Sequence, residues 1–251
     1  MTVGADRVAA VVWHDLECGR YRQDLSLWLE LAAARVPAGG AVLDVGAGTG
    51  RVTLTLARAG HRVVALDREA ELLRELAQRA GGLPVETVRA DARDFRLDRR
   101  RFELIVAPMQ TLQLLGGAAG HAAFFRCARA HLARGGVVAV AIAAAEDFEE
   151  YEWQEGDRLP LPDIAELDGR AYFSQPTAVR RVGDTYVLQR RRETVEPDGA
   201  RSSSEDRIAL DILTAESVER AAAEAGLRPR ARRRVGATDE HIGSEVLVLG
   251  V

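Results

Sequence analysis

The segment from residue 41 to residue 57 constrains the fold of this 251-residue chain more than any other. A short apolar run, Ala41–Val45, breaks directly into Gly46–Gly50, in which glycine alternates with Ala47 and Thr49. Apolar residues then recur at Val52, Leu54, Leu56 and Ala57. A strand that turns through glycines into a helix lets backbone N–H groups approach a ligand, and the helix presents its positive end there. The turn therefore predicts a site for a polar or anionic ligand, with a purely structural tight turn as the alternative.

The alternation of strand and helix continues from this turn to residue 143. Apolar runs predict further strands at Arg62–Asp67, Val85–Ala90, Phe102–Ala107 and Val137–Ala143. Helical spacing predicts helices at Tyr21–Val36, Glu69–Arg79 and Ala118–Ala133. Because strands that alternate with helices are joined by βαβ crossovers, they form a parallel sheet that helices cover on both faces. We therefore expect an α/β fold.

The pattern changes after residue 145. Residues 146–167 are acidic and aromatic, and antiparallel strands are predicted after them at Ala171–Arg180, Thr185–Val195 and Ser203–Leu213. A helix over Thr214–Ala225 follows, capped by Thr214 and closed by Gly226. Two more strands are predicted at Arg228–Val235 and Glu245–Val251. The alternate arginines of the first of these predict a solvated strand face, with a phosphate-binding surface as the alternative.

Composition excludes several classes of protein. The sequence has no lysine, so all 34 of its basic residues are arginines. Schiff-base catalysis and a Gly-Lys-Ser/Thr phosphate loop are therefore excluded. The net charge of -4 argues against a general nucleic-acid binder. The five histidines show no metal-ligand spacing, so we expect no metal site.

Two further features bear on the cellular compartment. No apolar run approaches the ~20 residues of a membrane helix, and the first residues lack the pattern of a secretory leader. The cysteines, Cys18 and Cys127, lie far apart in unlike settings, so no disulfide framework is predicted. We expect a cytoplasmic protein that makes no contact with a membrane.

Polar residues and a proline mark the ends of the later strands of the predicted sheet. Asp67 ends the second strand, Asp91 follows the third and Pro108 follows the fourth. Ligands of open α/β sheets bind at the carboxyl ends of the strands. A carboxylate at Asp67 can accept both hydroxyls of a ribose there, and one at Asp91 can accept from the amine of adenine. A dinucleotide fold is disfavoured, because Arg51 stands where Gly-x-Gly-x-x-Gly has its third glycine.

Over residues 13–143 the chain resembles the class I S-adenosylmethionine-dependent methyltransferases. Leu43–Gly50 is similar to the family's first motif, residues 104–115 to its fourth-strand motif, and His131–Gly136 to the turn before its fifth strand. The resemblance implies that the glycines pass the methionine part of the cofactor, with Asp44 near its amino group, and that Tyr21 lays its ring over the cofactor. The cofactor-binding residues implied in this way are Tyr21, Asp44, Gly46, Ala47, Gly48, Asp67, Arg68, Asp91, Ala92, Pro108, Met109 and Gln113.

The resemblance also implies a fold and a domain organisation. The expected fold is α/β, a doubly wound, Rossmann-like seven-stranded mixed sheet with an N-terminal helical cover and an antiparallel β insertion before the last helix. We expect one methyltransferase domain over residues 1–251. Its expected parts are a helical cover (1–36), a cofactor-binding core (37–145), a β-rich insertion on the acceptor side (146–213), and the last helix with the final two strands (214–251).

The expected function is methyl transfer from S-adenosylmethionine to nitrogen or oxygen of a small molecule, by direct in-line displacement. Ala107–Gln110 is not the Asn/Asp-Pro-Pro-Tyr of enzymes that methylate nucleic-acid amines, which puts base methylation in doubt. The insertion resembles that of sugar-amine N-methyltransferases, which favours an amine. Two alternatives stay open: a catalytically inactive S-adenosylmethionine- or nucleotide-binding protein that acts by interaction, and a nicotinamide oxidoreductase.

Candidate residues for the acceptor lie in the N-terminal segment and beyond the fifth predicted strand. Carboxylates and aromatic rings can hold or deprotonate an amine, so Asp147 and Tyr151 are candidate catalytic residues. The candidate substrate-contacting residues are Trp13, His14, Trp153 and Tyr172. The alternatives are an exposed acidic loop for residues 147–153 and a core position for Tyr172. We expect a monomer or homodimer whose partner is a small-molecule acceptor and not a nucleic acid.

Overall fold

The computed structural model describes residues 3–98, 100–143, 145–238 and 241–251. These residues form two compact units. The larger unit comprises Tyr21–Asp147 and Leu213–Val251, and the smaller one comprises the residues up to Arg20 together with Phe148–Ile212. The helical cover expected over residues 1–36 is thus divided between the two units. No described helix is both long enough and apolar enough to cross a membrane.

Helices and strands alternate from residue 25 to residue 89, and six of the described strands follow one another from residue 132 to residue 211, before the last helix. The helices are α1 (Val3–His14), α2 (Leu25–Arg35), α3 (Arg51–Arg58), α4 (Ala70–Ala80), α5 (Gly117–His131) and α6 (Ala215–Glu224). The strands are β1 (Ala41–Val45), β2 (Arg62–Asp67), β3 (Val85–Arg89), β4 (Phe102–Ala107), β5 (Leu132–Ile142), β6 (Tyr151–Glu152), β7 (Asp163–Leu167), β8 (Arg170–Val182), β9 (Thr185–Val195), β10 (Arg201–Asp211), β11 (Arg228–Val235) and β12 (Ser244–Gly250). Short helical turns lie at Asp15–Gly19, Leu112–Leu114 and Ala145–Asp147.

Seven strands form the mixed sheet of the larger unit, in the order β11-β12-β5-β4-β1-β2-β3. Strands β1 to β5 are parallel, and β12 runs antiparallel to both β5 and β11. The expected fold class is therefore confirmed. Because the carboxyl ends of parallel strands meet at one edge, Gly46, Asp67 and Pro108 all lie at the same edge of this sheet.

Both faces of this sheet are buried. Val42 and Leu43 are fully buried and point to opposite faces, as neighbours in a strand do. Val42 belongs to an apolar cluster that contains Trp28 of α2, whereas Leu43 belongs to one that contains Phe124 and Phe125 of α5. Helices therefore cover both faces, which explains why the strands of this sheet are almost continuously apolar in sequence.

Five strands form the antiparallel sheet of the smaller unit. Strands β10, β9, β8 and β6 are neighbours in that order, and β7 also pairs with β8. The tight connection between β8 and β9 turns at Gly183, whose φ of +60° suits a glycine. Tyr172 of β8 packs with Val12 and Leu16, so the N-terminal residues of this unit cover part of its sheet.

Some strands have the bounds that the sequence predicts, and others do not. Strands β1, β2, β4, β9 and β11 begin and end at the predicted residues. Strand β5 begins at Leu132 rather than Val137, because Leu132 already pairs with Phe102 of β4. Strands β6 and β7, which the acidic stretch 146–167 did not predict, both pair with β8. Their existence depends on that partner more than on their own pattern.

The arginines of β11 face solvent and pair with carboxylates of neighbouring helices. Arg232 donates to Glu216 at 2.9 Å and to Glu219 at 2.8 Å, both on α6. Arg233 donates to Glu30 of α2 at 2.9 Å. The exposure of Arg232 agrees with the solvated strand face predicted for the alternate arginines of this strand, whereas Arg233 was not part of that prediction.

Candidate functional site

The glycine turn after β1 adopts a conformation that only glycine tolerates easily. Gly46, Gly48 and Gly50 have φ values of +75°, +55° and +98°. The N–H groups of Gly46 and Ala47 both donate to the carbonyl of Leu66 in β2, at 2.8 and 3.1 Å. The turn is thus hydrogen-bonded to the neighbouring strand β2 at the carboxyl edge of the sheet.

Asp67 joins this turn to the end of β2. Its Oδ2 accepts a hydrogen bond from the N–H of Gly48 at 2.8 Å, and its Oδ1 accepts one from the N–H of Glu69 at 2.9 Å. A carboxylate has about four acceptor positions, so each oxygen keeps one for a ligand. Arg68, the next predicted residue, is exposed and pairs with Glu69 at 3.0 Å.

Asp44 is a buried carboxylate with one oxygen left without a partner. Thr53 donates to its Oδ2 at 2.6 Å, whereas Oδ1 is buried and has no hydrogen-bond partner among the residues that the structure describes. Burial raises the pKa of Asp44 from 3.8 to about 6, and the Thr53 hydrogen bond and Arg51 oppose that rise. An unpartnered buried carboxylate oxygen is costly, and the ammonium group of the expected cofactor would match it. The residue therefore fits the role that the resemblance implies.

Arg51 explains why the turn departs from the dinucleotide pattern. Its guanidinium donates to both carboxylate oxygens of Asp24, at 2.9 Å for Nη2 and Oδ2, and both side chains are buried. Trp28 donates its indole N–H to the same Oδ2 at 2.7 Å. Helix α2 begins at Leu25 rather than at the predicted Tyr21, and Asp24 stands at its N-cap position without a side-chain capping bond.

The pair of Asp24 and Arg51 was not among the predicted site residues. A sequence signal existed, since Asp24 interrupts an apolar helical pattern and Arg51 replaces a glycine. Nothing in the sequence joins the two residues, however, because they are 27 positions apart.

Tyr21 is buried in the core of the larger unit. Only 4% of its surface is exposed, and it shares an apolar cluster with Leu27 and Trp28. The guanidinium of Arg51 lies 5.2 Å from the centre of its ring, and the ring of His241 lies 5.1 Å away. Tyr21 therefore packs in the apolar cluster on one face of the sheet. Its role over the cofactor stays a prediction.

Asp91 follows β3 and is held by a neighbour in sequence. Arg93 donates to its carboxylate from Nε at 2.9 Å and from Nη2 at 2.6 Å. These hydrogen bonds lower the pKa of Asp91 to about 2, so the carboxylate is ionised at neutral pH. Ala92 is half-buried against the core. The predicted contact of this segment with adenine remains a prediction.

The segment after β4 is hydrogen-bonded to the residue that follows β5. Pro108 is buried, and Met109 has a φ of +52°. Gln113 is buried, and its Oε1 accepts a hydrogen bond from the N–H of Ala143 at 2.8 Å. The side-chain amide of Gln113 thus fixes the main chain at Ala143, just after β5, at the carboxyl edge of the sheet. The contact of Gln113 with the cofactor stays a prediction.

The candidate acceptor residues are distributed over both units. Asp147 belongs to the larger unit, in the turn that follows β5. The other candidates all belong to the smaller unit: Trp13, His14, Tyr151, Trp153 and Tyr172. Tyr172 is 2% exposed and meets Trp13 edge to face, with ring centres 5.2 Å apart. Trp153 is 37% exposed and lies 5.9 Å from the guanidinium of Arg191.

A charged network in the smaller unit was not predicted from the sequence. Glu17 accepts from Arg192 at 2.8 and 2.6 Å and from the hydroxyl of Ser174 at 2.7 Å. Arg192 also donates to Asp206 at 2.9 Å and lies 5.6 Å from the ring centre of Trp13. Tyr172 is buried and the partly buried Trp13 packs against it, which agrees with the core alternative for Tyr172. Among the residues that the structure describes, no group of three or more His, Cys, Asp or Glu side chains is placed to hold a metal.

We expect Gly46→Ala to impair the turn far more than Gly60→Ala. Both glycines have a positive φ, +75° and +93°, so alanine at either position costs about 1–2 kcal/mol. At Gly46 the added Cβ would also lie 2.6 Å from Oγ1 of Thr111, whereas at Gly60 no atom of the described residues lies within 4 Å. Calorimetry should therefore show S-adenosylhomocysteine binding weakened at least about 10-fold in the first variant and unchanged in the second. Equal affinities would contradict the placement of the cofactor at this turn.

Known proteins match both the sequence of the core and the fold. Residues 42–136 match a family model described as a methyltransferase domain. No curated protein matches the chain. Among solved structures, the sugar N-methyltransferase KedS8 from a Streptoalloteichus species is 20% identical with a TM-score of 0.75, over 96% of this chain and 92% of its own.

Two further solved structures cover almost the whole chain. DesVI from Streptomyces venezuelae is 21% identical with a TM-score of 0.73, over 98% of both chains. CalS10, an amino pentose methyltransferase from Micromonospora echinaspora with bound S-adenosylmethionine, is 22% identical with a TM-score of 0.66, over 99% of this chain and 97% of its own. The similarity therefore includes both compact units and not only the core.

Proposed function

We propose a function from the premise that the chain is a class I S-adenosylmethionine-dependent methyltransferase. The matched domain, the shared fold and the first motif agree on this class of enzyme and on its cofactor. The proposed reaction is the transfer of a methyl group to an amine nitrogen of a small molecule, such as an amino sugar.

The observation that carries the proposal is the unpartnered oxygen of Asp44. A buried carboxylate needs an opposite charge or hydrogen-bond donors to offset its lost hydration. Thr53 supplies one donor to Oδ2, and the ammonium group of an amino-acid ligand would supply both charge and donors to Oδ1. The methionine part of S-adenosylmethionine carries such a group, whereas a nicotinamide dinucleotide does not.

The chain's own residues would hold the cofactor at two points. S-adenosylmethionine supplies, when bound, a methyl group that its sulfonium already activates. Asp44 would hold the amino end, and Asp67 would use its remaining acceptor positions for the ribose hydroxyls. The protein's task is then to align the acceptor nitrogen and to exclude water, for which effective molarity can contribute about 7–11 kcal/mol.

An amine is the acceptor that the comparisons and the acidic segment favour. KedS8 is a sugar N-methyltransferase and CalS10 an amino pentose methyltransferase. Asp147 follows β5 at the carboxyl edge of the larger sheet, where a carboxylate could attract an amine or accept its proton. Burial raises the pKa of Tyr151, so its phenol stays protonated at neutral pH and would serve as a hydrogen-bond donor more than as a base.

We expect turnover with small amino sugars and none with the analogues that carry a hydroxyl in place of the amine. The measurement is mass spectrometry of the acceptor, which should gain one methyl group, together with release of S-adenosylhomocysteine. The rate should rise with pH toward the pKa of the acceptor amine, because only the neutral amine has a free lone pair. A chelator should leave the rate unchanged. Equal methylation of the hydroxyl analogue would contradict an amine acceptor, and loss of activity with chelator would indicate a metal.

A further inference from the structure

Met109 holds a backbone conformation that its side chain does not favour. Among the described residues other than glycine, only Asp98, Met109 and Asp168 have a positive φ. A short polar side chain makes the left-handed region tolerable for aspartate, whereas methionine has no such group. A residue strained in this way persists only where its surroundings hold it, and such residues cluster at functional sites.

Two kinds of contact stabilise the turn that contains Met109: hydrogen bonds from Thr111 and the packing of the Met109 side chain. Thr111 donates to the carbonyl of Pro108 twice, from its N–H at 3.3 Å and from its hydroxyl at 2.8 Å. The side chain of Met109 packs against the apolar cluster that contains Tyr21 and Leu27. The turn from Pro108 to Thr111 is therefore closed by Thr111 and anchored by the core.

Thr111 also lies against the glycine turn. Strands β1 and β4 are neighbours with Asp44 opposite Val106, so the segments that follow them run side by side at the carboxyl edge. A Cβ added at Gly46 would lie 2.6 Å from Oγ1 and 2.7 Å from Cγ2 of Thr111. The threonine thus occupies the space that a side chain at Gly46 would need.

We propose that Thr111 is a positioning residue for the cofactor. Its hydroxyl holds the strained turn at Met109, and its side chain packs on Gly46 and so fixes the conformation of the glycine turn. The inference rests on the proposed function of that turn as the cofactor site. The residues implied by the family resemblance do not include Thr111, so this role comes from the contact alone.

Valine and serine at position 111 distinguish the two contacts of Thr111, the hydrogen bond from its hydroxyl to Pro108 and the packing of its side chain on Gly46. Valine keeps the branched shape against Gly46 but has no hydroxyl for Pro108, whereas serine keeps the hydroxyl. We expect Thr111→Val to weaken S-adenosylhomocysteine binding about 10-fold and Thr111→Ser to stay within about threefold of the parent, by calorimetry well below the unfolding temperature. A lowered Tm in the valine variant with unchanged affinity would overturn the proposal. A valine variant that binds more tightly than the serine variant would overturn the role of the hydroxyl, because the branched shape alone would then account for the effect of Thr111.

A double variant tests whether Thr111 acts through Gly46. Thr111→Ala removes both atoms that an alanine at position 46 would meet most closely. If the two residues are coupled, Gly46→Ala will weaken binding less in the Thr111→Ala background than in the parent, whereas independent residues would give multiplied effects. The second result would refute the coupling.

Amide hydrogen exchange of residues 46–50 without ligand tests the same contact independently of binding. We expect faster exchange in Thr111→Val than in Thr111→Ser, and equal exchange would refute the contact's role. Failure of the parent protein to bind S-adenosylhomocysteine would instead refute the proposed function of the turn. Normal binding by the parent together with normal binding by Thr111→Val would refute only the role of Thr111.

Discussion

Asp44→Asn is expected to weaken S-adenosylhomocysteine binding by about 100-fold or more at pH 8, because removing one partner of a buried charge pair typically costs about 3–5 kcal/mol. Asparagine keeps the shape of the side chain and an acceptor for Thr53, but it cannot balance the ligand's ammonium group. Calorimetry of both proteins measures the difference. Glu224→Gln, which changes an exposed carboxylate on α6, is the matched control and should bind like the parent.

The same residue predicts how binding and stability depend on pH. Affinity should rise with pH through about 6, the pKa to which burial raises Asp44, because only the ionised carboxylate attracts the ammonium. Stability without ligand should change in the opposite direction. A carboxyl whose pKa is higher in the folded protein than in the unfolded chain favours folding at low pH, and it loses about 3 kcal/mol of that contribution as pH rises from about 4 past about 6.

Asp44→Asn should flatten both profiles. Urea unfolding between pH 4 and 8, with and without S-adenosylhomocysteine, measures them. An unchanged pH dependence of affinity in the variant would assign the titration to another group and remove Asp44 from the proposed ammonium contact.

The second large effect is expected at the buried pair of Arg51 and Asp24. Arg51→Ala leaves the carboxylate of Asp24 buried with the indole of Trp28 as its one remaining side-chain donor among the described residues, and such unpaired buried charges cost about 3–5 kcal/mol. Arg68→Ala removes an exposed partner of Glu69 and should cost less than about 1 kcal/mol. The free energy of unfolding in urea compares the two variants directly.

A double variant separates the burial of a charge from the loss of packing. Asp24→Asn combined with Arg51→Met should be less destabilised than the sum of the single changes, because neither residue then leaves an uncompensated charge. A loss in Arg51→Ala no larger than in Arg68→Ala would mean that the pair contributes no more than a surface contact.

The sequence predicted those parts of the fold that depend on local patterns. Strands β1, β2 and β4 and the turn at Gly46 are encoded by short apolar runs and by glycines that need a positive φ. Strands β6 and β7 could not be predicted in this way, since each forms only by pairing with β8.

In the candidate site, too, the positions of single residues could be predicted from local patterns, whereas the contacts between distant residues could not. Asp67 could be placed at the carboxyl edge because it ends a strand, but its bond to Gly48 depends on how β1 and β2 lie together. The contacts of Asp24 with Arg51 and of Gln113 with Ala143 join residues about 30 positions apart. No periodicity encodes such pairs, because they arise only when separate elements pack.

The division of the chain into two units has a consequence for biosynthesis. Glu17 emerges from the ribosome early, yet its partners Ser174 and Arg192 are 157 and 175 residues further along. The smaller unit therefore cannot complete its interior until the whole intervening segment has been translated, and the larger unit waits longer still for β12, which lies between β5 and β11. Contacts of such long sequence separation slow folding. Chains that stall before β12 would expose an unfinished sheet edge beside β5, so the larger unit is protected from aggregation only after β12 has been translated.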